Sequence, residues 1–290
     1  MVQREEASAI LLQAGRFTAS ITTDISEVRD GLTLLYPSVP RTAQCFSDFH
    51  ISILRQRWWK PQVVFSHNSI SPFAPLPYAH AFPLLEWGLN WCVTQHCHQY
   101  LVVHAAVVEK QGKVLILPGA PGSGKSTLCA ALVTQGGWRL FSDELALVNL
   151  NQAKVHPNPR PVSLKNRSID IIKEFSAGEA FTPSVKDTIK GTVAHMRPPT
   201  LSVQAWQQDA TPALIVFPRY QQGAATKLAA VSIGTAFMRL VENSFNYHIL
   251  GRAGFDALVR TMQHVACFDF VYDGNLSNAL QLCDELIADA

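Results

Sequence analysis

The stretch Gly119-Ala120-Pro121-Gly122-Ser123-Gly124-Lys125-Ser126 constrains this chain more than any other, because few local structures can present a glycine, four free positions and a Gly-Lys-Ser ending. The glycines let backbone N–H groups turn inward and approach anionic oxygens closely. In that pattern Lys125 neutralises charge on the β and γ phosphates of a nucleotide, and Ser126 offers a hydroxyl to Mg²⁺. The apolar run Val114-Leu115-Ile116-Leu117 precedes it, and the apolar stretch Leu128 to Val133 follows. Strand, loop and helix thus come in the order the motif needs, with phosphates delivered to the positive end of a helix beginning near Thr127. Average residue frequencies yield the bare pattern in roughly one chain in a hundred of this length.

The remaining composition is that of an ordinary globular protein. At 290 residues the chain can bury a substantial core as one large domain or two unequal ones, and 48% hydrophobic with 16% charged residues excludes a disordered or coiled-coil chain. A net charge of +2 provides no broad field for nucleic acid or an acidic membrane. No apolar stretch reaches the length of a membrane span and the N-terminus lacks a signal-peptide core, so a cytoplasmic protein with reduced cysteines is expected.

Residues 1–98 are rich in Pro, aromatics and Ser/Thr, which favours short strands and turns over long helices until a helical pattern sets in from Ala81 through Gln95. Residues 99–290 read as an α/β unit. Tyr100 to Lys110 and Val114 to Leu117 form a hairpin about Gln111-Gly112, and Thr127 to Gln135 form a helix closed by Gly136-Gly137. Strands follow at Trp138 to Ser142 and Leu145 to Leu150, then near Ala213 to Phe217, Lys227 to Val231 and Cys267 to Tyr272. Helices are expected at about Thr235 to Ser244, Phe255 to His264 and from Leu276 onward. The Pro-rich His156-Pro157-Asn158-Pro159-Arg160-Pro161 reads as a surface or site loop.

Asp143 and Glu144 end the strand Trp138 to Ser142, 18 residues after Lys125. One helix and one strand fill that interval. Motor and transporter ATPases usually place their Mg²⁺-associated acid much further on, whereas small kinases can place one on the strand just after the phosphate-loop helix. An acid there can take a proton from an attacking hydroxyl or help organise Mg²⁺; the bland alternative is an Asp that caps the next segment.

These residues carry a resemblance. His104, the 114–118 strand, Gly-Lys-Ser, and Gly137-Trp138-Arg139-Leu140-Phe141-Ser142-Asp143-Glu144 resemble HPr kinase/phosphorylase. With Glu86-Trp87-Gly88-Leu89-Asn90-Trp91-Cys92, the Pro-rich segment and Ser244-Phe245-Asn246-Tyr247, nearly the whole chain is similar to the HPr-kinase-related family A found beside exosortase and exopolysaccharide genes. The resemblance implies a P-loop kinase core of the HPr kinase/PEP carboxykinase type with an N-terminal α+β region. It implies ATP and Mg²⁺ as cofactors, Gly119 through Thr127 as the nucleotide site, Asp143 as general base, His104 as its support, and Ser126 with Glu144 at the metal. Glu144 stands where HPr kinase has a second Asp. A Ser/Thr hydroxyl on a protein or peptide is the implied acceptor, and self-association is implied too. A small-metabolite kinase and an ATP-binding switch without transfer are the alternatives.

Weaker constellations complete the reading. Arg160, Lys165, Arg167 and Arg219 lie in or near Pro-broken segments, where they serve either as a cationic lining for phosphates or an acidic acceptor, or as solvated surface charge. Cys92 and His96 share a helix face, but no second ligand pair follows at zinc-site spacing. Trp58-Trp59 among Arg55, Arg57 and Lys60 reads as core packing with a wet cationic rim rather than a nucleic-acid stacking platform.

Overall fold

The computed structural model describes residues 8–36, 46–56, 61–176 and 178–290. The Trp58-Trp59 cluster and Cys45 lie outside them. Strands β1 (Ser8–Ala14) and β2 (Phe17–Thr23) form a hairpin in which Phe17, Ala19, Ile21 and Thr23 of β2 are buried and the residues between are not, the period-2 pattern of a half-buried sheet. Helix α1 (Ser26–Leu35) buries Val28, Leu32 and Leu35, the 3.6-residue period of a helix lying on a sheet. It is the crossover from β2 to its parallel neighbour β3 (Phe49–Arg55), which the expectation of short strands and turns alone did not include. Strands β4 (Gln62–His67) and β5 (Leu76–Pro77) complete the sheet in the order β1-β2-β3-β4-β5.

Helix α2 (Ala81–His96) agrees with the predicted span and packs on this sheet. Its close approach depends on Gly88, where an added Cβ would lie 1.9 Å from the Phe65 ring. Val102, Leu145 and Leu147 join the same apolar cluster, so this N-terminal core continues into the next sheet.

The second part of the chain begins with the long β6 (Tyr100–Lys110), then β7 (Lys113–Pro118), α3 (Lys125–Gln135), β8 (Arg139–Ser142), β9 (Leu145–Asn149) and β10 (Val155–His156). A three-stranded sheet of order β11-β13-β12 is inserted next, comprising β11 (Val162–Lys165), α4 (Arg167–Phe175), β12 (Val185–Thr188) and β13 (Gly191–Met196). After α5 (Thr200–Gln204) come β14 (Thr211–Tyr220), β15 (Lys227–Ala230), α6 (Ile233–Glu242), α7 (Tyr247–Leu250), α8 (Arg252–Met262), β16 (Ala266–Tyr272) and α9 (Leu276–Asp289). The large sheet runs β10-β9-β6-β7-β14-β16-β15, with β8 also on β6; β7, β14 and β16 are parallel and the other pairs antiparallel. The described chain is therefore a mixed α/β structure.

Strand β7 shows why the sheet is central. Val114 and Ile116 face one apolar cluster with α6 and α8, while Leu115 and Leu117 face another with α3 and α9. Burial on both faces turns a strand into a near-continuous apolar run. No helix among the described residues is long and apolar enough to cross a membrane.

The Pro-rich 156–161 segment corrects the surface-loop expectation. It is buried throughout, with Asn158 1% exposed. Its prolines bring few N–H groups that need partners. The N–H of Asn158 donates to Phe141 O at 2.7 Å, and its Oδ1 accepts from Arg16 N–H at 3.2 Å.

Gly88→Ala is expected to destabilise the chain by about 1–3 kcal/mol through overpacking against Phe65. Urea unfolding measures this; an unchanged midpoint would contradict the packing of α2 on β4.

Candidate functional site

The carboxyl ends of the three parallel strands β7, β14 and β16, at Pro118, Tyr220 and Tyr272, surround the glycine-rich loop. Tyr220 N–H donates to Ser123 O at 3.0 Å, and Tyr272 Oη donates to Gly124 O at 3.1 Å. Gly124 has φ +93, and a Cβ there would sit 2.2 Å from Tyr272 Oη, so conformation and space both demand glycine. The helix starts at Lys125, two residues before the expected Thr127. Open-sheet proteins bind ligands at such a crevice outside the carboxyl ends of strands.

Lys125 is 6% exposed, and its ammonium donates to the loop's own carbonyls, Gly119 O at 2.5 Å and Ala120 O at 2.9 Å. Burial lowers its pKa. The two loop carbonyls and the Asp143 and Glu144 charges across the cavity act the other way.

The acids arrive through the large sheet. Strands β8 and β9 follow one another along the same edge of β6, β8 pairing at residues 107–109 and β9 at 100–104. Asp143 and Glu144 fill the break between them, where Glu144 O accepts from Ala105 N–H at 3.2 Å. Because β6 is antiparallel to β7, Ala105 pairs with Pro118, one residue before the loop. That register brings His104, the acids and the loop to one end of the sheet.

A cavity of about 1330 Å³ is lined there by Lys125, Ser126, Thr127, His104, Asp143 and Glu144 together with Lys165, Arg167 and Lys190. Asp143 Oδ2 accepts from Ser163 N–H at 2.9 Å, and Oδ1 has no partner among the described groups. Burial, and then the neighbouring Glu144 charge, push the Asp143 carboxyl up to about 6. Burial also works against the Glu144 charge, but the Lys190 and Lys165 charges outweigh it and bring its pKa below the usual value. Glu144 Oε2 accepts from Asn90 Nδ2 at 2.6 Å, and its other oxygen lies 3.9 Å from Lys165 and 4.0 Å from Lys190. Burial, then the Lys125 charge, hold the His104 imidazole down at about 4, so it is neutral at physiological pH.

Of the expected lining cations, Lys165 and Arg167 border this cavity and two others do not. Arg160 is buried in an ion pair with Glu86 at 2.6 Å and also donates to Asn90 Oδ1 at 2.5 Å, so it braces α2 instead of meeting a phosphate. Arg219 donates to Gln221 Oε1 at 2.8 Å and lines a separate cavity of about 690 Å³ on the β15 side of the loop. Cys92 is buried in the N-terminal core, and the His96 ring packs on His67 at 4.8 Å.

Residue-type reasoning missed Lys190 and Ser163. Lys190 sits in the turn between β12 and β13, and its ammonium lies 4.7 Å over the Trp87 ring. A lysine in a turn carries no local signal; only the fold brings it to Glu144. No family model matches the chain, and no curated protein is significantly similar to it.

The Asp143 shift carries a stability sign. A carboxyl held near 6 in the fold and near 3.8 when unfolded binds its proton more tightly folded, so its ionisation destabilises the chain progressively from about pH 4 to 6 and fully above that. Asp143→Asn is therefore expected to raise stability at pH 8 by on the order of 2–3 kcal/mol, less whatever the amide loses in hydrogen bonding, with the gain shrinking toward pH 4. Denaturant unfolding at several pH values measures it, and a gain independent of pH would contradict the buried carboxylate.

Proposed function

We propose that this chain is an ATP- and Mg²⁺-dependent phosphotransferase acting on the Ser/Thr hydroxyl of a protein or peptide, as the HPr-kinase resemblance implies. The carrying observation is the cavity in which Asp143 and Glu144 share walls with Lys125 and Ser126 at the carboxyl ends of the parallel strands. The residues suit the two cofactors. A buried ammonium satisfied only by loop carbonyls, an unpartnered Ser123 hydroxyl and the first turn of α3 make an anion cradle. Mg²⁺ uses one or two carboxylates plus substrate phosphates, so Ser126 and Glu144 are sufficient protein ligands.

Bound nucleotide and metal would supply the transferable phosphoryl group and neutralise its charge. The chain's own residues do the rest. Lys125 and the backbone N–H groups of the loop, Pro121 having none, orient the phosphates, and Ser126 and Thr127 line the cavity beside them. Asp143 accepts the acceptor's hydroxyl proton on its carboxylate, whose Oδ2 is held by Ser163 N–H. Neutral His104 borders the acids without adding positive charge.

The far wall of the cavity bears on the acceptor. It is built by Pro72, Phe73, Leu76, Trp87 and Trp91. Both ends of the Asn90 amide are taken by Glu144 and Arg160, and Thr94 Oγ1 donates to Trp91 O at 3.0 Å. Such a wall suits a hydroxyl flanked by apolar side chains, as a peptide can present, with Asn166, Ser168 and Gln222 bordering the same cavity.

Incubation of the purified chain with γ-labelled ATP and lysate is expected to label a discrete protein or peptide. Asp143→Asn should cut the labelling by at least about 10²-fold, as expected for losing a general base, with ATP binding retained. Labelling that survives the substitution removes Asp143 from the chemistry; tight ATP binding with no product under any acceptor condition makes the chain a nucleotide switch.

A further inference from the structure

Behind Asp143 lies a second, much smaller chamber of about 20 Å³, bordered by Asp143, Ser163, His195, Asn90, Asn158 and Arg160. Ser163 on β11 and His195 on β13 are direct partners in the antiparallel ladder, so their side chains stand on the same face of that small sheet. Both are buried, and the His195 ring packs edge-on against Phe82 of α2 at 5.4 Å. Asp143 Oδ1, Ser163 Oγ and both ring nitrogens of His195 are buried without a hydrogen-bond partner among the described groups. Such a cluster is unusual, because buried polar atoms are nearly always paired. A chamber needs roughly 10–15 Å³ and two to four polar partners to hold one water. This one meets both conditions and is too small for two.

We propose that this chamber binds one ordered water that ties Asp143 Oδ1 to Ser163 Oγ and the His195 ring, which makes Ser163 and His195 positioning residues for the Asp143 carboxylate. A water gives two hydrogens and accepts at two lone pairs, so it serves an acceptor-only carboxylate oxygen, a hydroxyl and an imidazole together. With Ser163 N–H already on Oδ2, the carboxylate is held at both oxygens and its plane is fixed toward the large cavity. The water site stands without the phosphotransferase reading; only the kinetic arm of the test rests on it.

A crystal structure of the full chain at atomic resolution is expected to show a solvent peak within about 3.2 Å of Asp143 Oδ1 and of Ser163 Oγ or a His195 nitrogen. In Ser163→Ala that peak should vanish and the carboxylate should rotate or lose order. A wild-type chamber without the peak, or a variant keeping both water and carboxylate in place, overturns the proposal. In labelling assays Ser163→Ala and His195→Leu should lower kcat on the order of tenfold with nucleotide affinity unchanged, and His195→Gln should retain most of the rate; equal loss in His195→Gln and His195→Leu also counts against it. If no acceptor is ever labelled, the phosphotransferase reading fails while the crystallographic result still decides the water site.

Discussion

One edge of β6 is paired by two strands in succession, and everything at the site depends on the break between them. An unbroken partner strand would send alternate side chains to opposite faces of the sheet, leaving one of two adjacent acids in each core. The interruption at Asp143-Glu144 frees both from that alternation while Glu144 O still bonds Ala105 N–H. The backbone stays satisfied, and two carboxylates emerge together at the end of the sheet where β7 delivers the glycine-rich loop.

Two adjacent carboxylates, one buried and one partly so, repel one another and lose hydration, so the surrounding structure must compensate. Much of that compensation comes from outside the large sheet. Asn90 reaches Glu144 from α2, Lys165 and Lys190 come from the inserted three-stranded sheet, and Ser163 N–H holds Asp143. The Arg160–Glu86 pair then ties α2 to the Pro-rich strap, with the Tyr36 hydroxyl donating to Glu86 at 2.8 Å. Breaking a buried pair of this kind strands a charge, so the pair fixes where α2 stands relative to the acids. In this way the N-terminal sheet, through α2, becomes part of the site and not merely its neighbour.

Locally encoded features were legible in the sequence, and features made by long-range contact were not. The loop, the hairpin before it, the helix after it and the strand ending in Asp143 all carry short-range signals of glycine spacing, apolar runs and turn residues, and the structure has each of them. Helix α2 was legible from its apolar periodicity. Helix α4 and the sheet of β11, β12 and β13 were not, since their strands of four to six residues lie among prolines and charged residues. The misleading case was Arg160. A proline-flanked arginine resembles a solvent-facing loop cation, and only the location of Glu86, 74 positions earlier, reveals a buried brace.

Asp143 and Glu144 are neighbours in the chain, the first buried and the second partly buried, and their surroundings drive their pKa values in opposite directions. Glu144 has two ammonium groups within 4.0 Å and an amide donor on one oxygen, so it stays ionised. Asp143 is buried with the Glu144 charge beside it, and these outweigh the Ser163 N–H and the Ser126 hydroxyl, so its proton affinity rises. Where the environments of two acids separate their proton affinities, their roles separate as well. The more basic carboxylate suits taking a proton from a hydroxyl, and the firmly ionised one suits a cation. Their supports overlap without coinciding: Ser163 of the small sheet holds Asp143, whereas Glu144 is shared between Asn90 of α2 and Lys165 and Lys190 of the small sheet, so α2 acts directly on the acid that suits the cation.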